Sequence, residues 1–195
     1  IGGAKLADGS VSAAKLEPPE PVRVLGASGE PPLNNGGEGD CVWTDASVSE
    51  APGIDPASFR MDREGVVHMY GAVVVEEVPG AGDEECGATA PEPNDDVEDF
   101  TVFTLPPAYR PANAQIFDPG VSTGATAIYV AGTEPWTLTS GTTLPAGAVV
   151  IAGLPPFGAL LSELSFPAAS SGLLPNRRAT EASASAVKAL GLPGL

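Results

Sequence analysis

The sequence predicts an all-β fold, an antiparallel β-sandwich of roughly nine short strands. Glycine and proline are both heavily used, with 24 and 21 residues among 195, and both residues punctuate turns and end helices and central strands. Short apolar runs recur at close spacing between these turn residues. Hydrophobic residues make up 43% of the chain, which is too much for a disordered protein and enough for a core.

The chain divides into three parts. Residues 1–21 hold a small repeat, "AKLADGSVS" at Ala4–Ser12 and then "AKLEPP" at Ala14–Pro19. So few units cannot bury an apolar face alone, so we predict the end of a longer fibrous segment, with a disordered Ala/Ser-rich linker as the alternative. Because the chain begins at Ile1 without Met, we expect a fragment or a processed product. Residues 22–170 form the predicted β domain.

Residues 171–195 are predicted to be a C-terminal tail. Within it, Arg177–Gly191 carries a stripe of Ala, Val and Leu that permits a helix, and Gly191 is a stop signal.

Strands are predicted in order along residues 22–170. A proline-rich stretch leads into "VRVLG", and "CVWT" at Cys41–Thr44 is followed by the turn-rich segment 46–57. The clearest hairpin pairs Phe59–Met61 with Val66–Val78 across "DREG", a tight turn with Gly where positive φ is tolerated. Six further strand candidates follow the acidic stretch 79–99: "TVFTL", "QIFD", "TAIYVA", "WTLTS", "AVVIAG" and "LLSELSFPA".

The long predicted strand Val66–Val78 is largely apolar at both its even and its odd positions. Alternate residues of a strand point to opposite faces of the sheet, so this pattern indicates burial on both sides. The centre of a sandwich and a subunit interface both have this property. We therefore predict that one face of the strand contacts a neighbouring copy of the chain.

The formal net charge is −16, and 18 of the 25 acidic residues lie between Glu30 and Asp99. Such a field repels phosphate backbones, so nucleic acid is not an expected partner. No apolar run approaches the ~18 to 20 residues that cross a bilayer, so membrane insertion is not expected either.

Two cysteines, Cys41 and Cys86, lie in acidic surroundings, "EGDCVWT" and "DEECGAT". Free cysteines are usually buried among apolar residues, so this placement favours a disulfide between them and a location outside a reducing cytosol. Closing the loop is worth ~4 kcal/mol in the chain-entropy view. The alternative is two unrelated thiols, one of them buried beside Trp43.

Catalytic motifs are not convincing, and we predict neither an enzyme nor a cofactor. His68 is the only histidine, and it lies mid-strand among apolar residues, where packing or hydrogen bonding is the usual role. "GVSTG" at Gly120–Gly124 matches the nucleophile-elbow pattern, but no histidine follows it. The acidic run Glu92–Phe100 could bind calcium weakly through Asp95, Asp96, Glu98 and Asp99, although its spacing is not that of an EF-hand. We predict a solvated loop there and no metal.

The stretch "FTVFTLPPAYRPA" (Phe100–Ala112) predicts a strand that ends in a stiff corner. Pro106 and Pro107 lack backbone donors and therefore end the strand after Leu105. Tyr109 can then cover the edge of the core while its hydroxyl reaches solvent or backbone.

Three stretches resemble one family. "REGVVHMYGAVV", "FTLPPAYRPA" and "GALLSELSFPA" resemble the C-terminal knob domain of phage tail-fibre proteins, in which "AKLADGSV" repeats commonly precede the knob. The resemblance covers about Val22–Ala168, and the repeat extends it to the N-terminus. Ala108 replaces a glycine that is usual in the family, and both the acidic stretch 79–99 and the tail depart from its pattern.

The resemblance implies a homotrimeric β-sandwich knob in a virion that binds other tail proteins and a host-surface glycan or protein. Trp43, Tyr129 and Trp136 are the candidate glycan-stacking residues. A subunit of a bacterial extracellular or surface filament built on the same knob is one alternative. A glycan depolymerase using two of the many carboxylates is the other.

Overall fold

The computed structural model describes residues 20–34, 41–49, 53–77, 101–118, 127–152, 158–162 and 164–171. Most of the predicted fibrous segment 1–21, the acidic stretch 79–99, and all of the C-terminal tail except its first residue lie outside these ranges. The described residues belong almost entirely to the predicted β domain.

The prediction of an all-β fold is confirmed. The described residues form thirteen short strands and one four-residue helix, α1 (Ala46–Ser49), with 3-10 turns at Pro107–Tyr109 and Ala169–Ser171. The strands are β1 (Arg23–Val24), β2 (Cys41–Asp45), β3 (Ser58–Met61), β4 (Val66–Tyr70), β5 (Ala72–Glu77), β6 (Thr101–Thr104), β7 (Gln115–Phe117), β8 (Ala127–Val130), β9 (Trp136–Thr137), β10 (Thr143–Leu144), β11 (Ala148–Ala152), β12 (Ala159–Leu160) and β13 (Ser165–Pro167).

The strands pair antiparallel in four sheets, with the orders β1-β3-β4-β13, β12-β5-β2, β6-β11-β8-β7 and β10-β9. The predicted β3–β4 hairpin is present, and its turn closes through a hydrogen bond of 3.1 Å from the Gly65 amide to the Asp62 carbonyl. Gly65 has a φ of +79°, the left-handed conformation that the turn requires. This local prediction is confirmed.

The prediction of one strand over Val66–Val78 is wrong, because Gly71 divides it. Gly71 has a φ of +75°, which turns the chain out of the first sheet, so that β4 lies in one sheet and β5 in another. The segment that pairs with this part of the chain is divided in the same way, since β13 pairs with β4 and β12 pairs with β5. Between them, the Leu161 amide donates to the Gly71 carbonyl at 2.9 Å. The two halves therefore form a corner between sheets.

Both faces of β5 are covered within this chain. Val73 and Val75 belong to the main core, whereas Ala72 and Val74 form a second small cluster with Ala46 of α1. The sequence pattern of burial on two sides was therefore correct for β5, but a helix of the same chain supplies the second cover. We expected a neighbouring copy there, and that expectation is wrong for β5.

The position of α1 depends on one carboxylate. Asp45 accepts a hydrogen bond of 2.9 Å from the Ser47 amide and one of 3.0 Å from the Ala57 amide. An aspartate that bonds the amide two residues later is a common device for starting a helical turn. Its second bond ties this turn to the segment that leads into β3, a long-range contact that the turn-rich composition of 46–57 did not reveal.

The core lies between the first sheet and the others. Phe59 of β3 stacks on Phe103 of β6 with ring centroids 6.3 Å apart, and Phe117 of β7 lies 6.1 Å from Phe166 of β13. Asn34 connects two of the remaining sheets, since its amide donates to Val102 of β6 at 2.8 Å and its carbonyl accepts from Trp43 of β2 at 3.0 Å.

Candidate functional site

The proline corner after β6 is built as the sequence predicts. The strand ends at Thr104, the buried Leu105 donates its amide to the Gly147 carbonyl at 2.9 Å, and a 3-10 turn follows at Pro107–Tyr109. The Tyr109 amide donates to the Pro106 carbonyl at 2.9 Å, which closes the turn. The corner thereby turns the Tyr109 ring inward, and the residue is only 5% exposed.

The Tyr109 ring packs edge-on against Phe59, with the centroids 5.0 Å apart and the planes at 80°. Its hydroxyl donates to the Glu20 carboxylate and accepts from Arg23 Nη1 at 2.8 Å. The Arg23 guanidinium also lies over the Tyr109 ring, 5.1 Å from its centroid. Tyr109 therefore does more than cover the core edge, because it holds the segment that enters the domain.

Two carboxylates complete this cluster, which we call the entry joint (Glu20, Arg23, Glu30, Phe59 and Tyr109). Glu30 accepts from Arg23 Nε at 2.7 Å, and the second oxygen of Glu20 accepts from the Met61 amide at 3.1 Å. Glu20 and Glu30 are 27% and 22% exposed, so the ion pairs are partly desolvated. Sequence analysis missed these three charged residues, since Glu20 and Tyr109 are 89 residues apart in the chain.

Three stretches that are far apart in the sequence meet beside the entry joint. Pro111 forms a β-bridge with Ala168, the Ala168 amide donates to the Gly65 carbonyl at 2.9 Å, and the Ala169 amide donates to the Arg110 carbonyl at 2.8 Å. These residues come from "FTLPPAYRPA", "REGVVHMYGAVV" and the end of "GALLSELSFPA" or just beyond it. The side chain of Arg110 braces the corner, because its Nε donates to the Leu105 carbonyl at 2.9 Å.

The three candidate stacking residues lie in different environments. Trp43 is 3% exposed and belongs to the main core. Tyr129 of β8 and Trp136 of β9 are partly exposed, and their rings contact each other with centroids 5.6 Å apart at an angle of 53°. Of the three candidates, the structure therefore brings Tyr129 and Trp136 together and buries Trp43.

The β9–β10 hairpin places Trp136 and two threonine hydroxyl groups on opposite faces. Trp136 lies opposite the buried Leu144 in the β9–β10 hairpin, so its ring is on the face turned toward the domain. Thr137 and Thr143 are opposite each other on the other face, exposed, with their hydroxyl oxygens 2.9 Å apart. The partly exposed rings of Tyr129 and Trp136 can stack on the apolar face of a sugar ring. The two threonine hydroxyls lie on the opposite face and bond to each other, so they are not part of this contact. Burial raises the pKa of the Tyr129 hydroxyl, which keeps this group a neutral donor.

His68 is a hydrogen-bonded strand residue, as the sequence indicated. Its Nε2 lies 2.8 Å from Asp62 Oδ2, and the other oxygen of Asp62 accepts from the Val66 amide at 2.8 Å. Burial raises the pKa of the Asp62 carboxyl, but the hydrogen bonds from His68 and Val66 outweigh it, so the pKa lies below its ordinary value. Ser165 is opposite His68 on β13, but among the described residues no hydrogen bond joins their side chains, so a serine–histidine–aspartate relay is not formed.

Several predicted features lie outside the described residues. Cys86 and the acidic run Glu92–Phe100 are among them, so the disulfide with Cys41 and the candidate calcium ligands stay predictions. Cys41 itself begins β2, opposite Glu77 of β5. Within the described ranges, no group of three or more His, Cys, Asp or Glu side chains could hold a metal ion. The helices of these ranges also include none that is long and apolar enough to cross a membrane.

Comparison with known proteins finds no relative of this chain. No model of a known protein family, no curated protein and no solved structure matches this chain.

Proposed function

We propose that the chain is a non-catalytic structural and host-receptor-binding module of a phage tail fibre or a similar virion appendage. In this proposal, residues 1–21 end a fibrous segment, the β domain is the knob, and the partners are other tail proteins and a glycan or protein of the host surface. The virion is the corresponding location, with an extracellular or cell-surface filament as the alternative.

One observation carries the proposal: the three stretches that resemble tail-fibre knobs contact each other at the point where the N-terminal segment enters. Pro111, Ala168 and Gly65 are joined by backbone bonds, and Tyr109 of the same corner binds Glu20. The entry joint ties the entering segment to the domain through a buried tyrosine bonded to two charged side chains. Such an attachment would hold the domain in one orientation to a fibre that precedes it.

We further infer that the sheets form two layers, as in a β-sandwich. The contacts of Phe59 with Phe103 and of Phe117 with Phe166 support two facing sheets. The bridge that Asn34 makes between β2 and β6 supports one continuous second layer. The proposed module is a homotrimer, so its mass in solution should be about three times the 19.5 kDa of the chain.

We propose the Tyr129–Trp136 pair as the receptor contact. Its two partly exposed rings can stack on the apolar face of a sugar. A weak contact at one site gains overall affinity when three copies are linked, since the linked sites act at a high effective concentration.

The experiment measures binding of the fluorescently labelled protein to candidate host cells. The Trp136→Ala variant should lose about tenfold or more in affinity, since stacking on an aromatic ring is worth on the order of 1 kcal/mol per site and three sites act together. Trp43→Phe is the matched control, because this tryptophan is buried in the core. Equal binding of Trp136→Ala and the parent protein would refute the receptor contact, and a parent protein that binds no host cell would refute the function.

A further inference from the structure

We propose that the outer face of the β1-β3-β4-β13 sheet is the interface between copies of this chain, with Arg60 paired to a carboxylate of the neighbouring copy. The inference rests on the proposed homotrimer and names the surface that forms it. The register places eight residues on the outer face: Val24, Ser58, Arg60, Val66, His68, Tyr70, Ser165 and Pro167.

The strand register identifies this face. Phe59, Val67 and Met69 are at most 1% exposed and point into the core, so the residues that alternate with them point outward. The outward residues of β4 are Val66, His68 and Tyr70, all only partly buried. Val24 and Val66 lie outside both core clusters. In contrast to β5, whose second face α1 covers, β4 therefore keeps a second face that is partly exposed and partly apolar. Ser58, opposite Tyr70 on this face, is buried within the chain.

Arg60 is the unusual member of the face. Its Nε donates to the Tyr70 hydroxyl at 2.9 Å, and its guanidinium lies over the Tyr70 ring, 5.6 Å from the centroid. Among the described residues no carboxylate pairs with it. Arg23 shows the opposite arrangement, since Glu20 and Glu30 both lie within 4 Å of it. An arginine held in one orientation, with its terminal amino groups free, is well suited to bind a carboxylate with both of them.

Charge complementarity favours a second copy as the occupant. The chain has 25 acidic and 9 basic residues, so an identical chain offers many carboxylates but few cations. Once the face is covered, Arg60 needs such a partner, because a desolvated charge without one is strongly unfavourable. The partly apolar Val24, Val66 and Pro167 favour protein as the contact.

The dimensions of the face limit its contribution. The four strands have two, four, five and three residues. With a rise of ~3.3 Å per residue and a spacing of ~4.8 Å, they cover roughly 220 Å². A stable interface needs about 800 Å² from each partner. The face is therefore the centre of the interface, and residues around it must add a rim.

The experiment measures molar mass by light scattering for the parent chain and three variants. Arg60→Glu and the milder Arg60→Gln should dissociate the assembly, with a dissociation constant at least about tenfold higher, because each removes one partner of a desolvated ion pair. Arg63→Glu is the matched control, with the same charge change in the exposed β3–β4 turn, and it should leave the mass unchanged. Circular dichroism checks that each variant keeps its strands.

Each outcome has a distinct meaning. A monomeric parent chain would overturn both this interface and the proposed homotrimer. An assembled parent chain whose Arg60 variants also stay assembled would overturn this interface alone, and loss of host-cell binding by those variants would then assign the face to an acidic ligand. If Arg63→Glu dissociates the assembly as much as Arg60→Glu does, the effect is a general one of charge, and the proposed interface would also be overturned.

Discussion

Replacement of Gly71 by alanine should destabilise the domain strongly, because this glycine lies where the chain passes from one sheet to another. Its φ of +75° alone costs an alanine about 1–2 kcal/mol. A Cβ would also lie 2.4 Å from the Asp55 carbonyl oxygen, 2.6 Å from the Pro56 carbonyl carbon and 2.7 Å from the Ala57 amide nitrogen. All three are backbone atoms, so relief requires the segment 55–57 to move.

That movement would lengthen two hydrogen bonds of Ala57. Its amide donates to Asp45 at 3.0 Å, and its carbonyl accepts from the Leu25 amide at 2.9 Å. Losing a bond to a charged group costs about 1.5–3 kcal/mol and losing a neutral one about 0.5–1.5 kcal/mol. With the backbone cost, the free energy of unfolding should fall by about 3–6 kcal/mol.

The chain contains a matched control at Gly26. It has the same φ of +75°, but a Cβ there would meet nothing within 4 Å, so Gly26→Ala should cost only about 1–2 kcal/mol. Urea unfolding followed by tryptophan fluorescence measures both variants. A Gly71→Ala variant within about 1 kcal/mol of Gly26→Ala would refute the reasoning, since the close approach would then have no energetic effect.

Two further predictions concern the entry joint and the β3–β4 turn. Tyr109→Phe removes the hydroxyl that bonds the entering segment, so the free energy of unfolding should fall by about 1–2 kcal/mol. Trypsin should also cleave after Arg23 faster in this variant than in the parent protein. An unchanged cleavage rate would contradict the role of the entry joint. Asp62 has a lowered pKa, so its contribution to stability is full above its ordinary pKa of 3.8 and is lost as the pH falls through the lower folded value. The difference in urea midpoint between the parent protein and Asp62→Asn should therefore shrink as the pH falls below about 4. A difference that does not shrink between about pH 5 and pH 2 would contradict the lowered pKa of Asp62.

The candidate site could be predicted only in part. The proline corner was visible in the sequence, because proline lacks a backbone donor and ends a strand. Trp43, Tyr129 and Trp136 were candidates on equal terms, and the sequence did not show which of them are exposed. The burial of Trp43 was not visible, since "CVWT" reads the same for a core strand and an exposed one. The partners of Tyr109 were also hidden, because Glu20 and Arg23 lie 89 and 86 residues away in the chain.

The sequence by itself determined the all-β class, the approximate positions of most strands and the β3–β4 turn. These features depend on residues within a few positions of one another, through strand propensity, alternation and the positive φ of glycine. The tertiary structure decided that Gly71 divides the predicted strand, that α1 covers the second face of β5, and that the outer face of β4 stays open. Such outcomes depend on which distant segments pack together, and a periodic pattern shows that a face is apolar without showing what covers it.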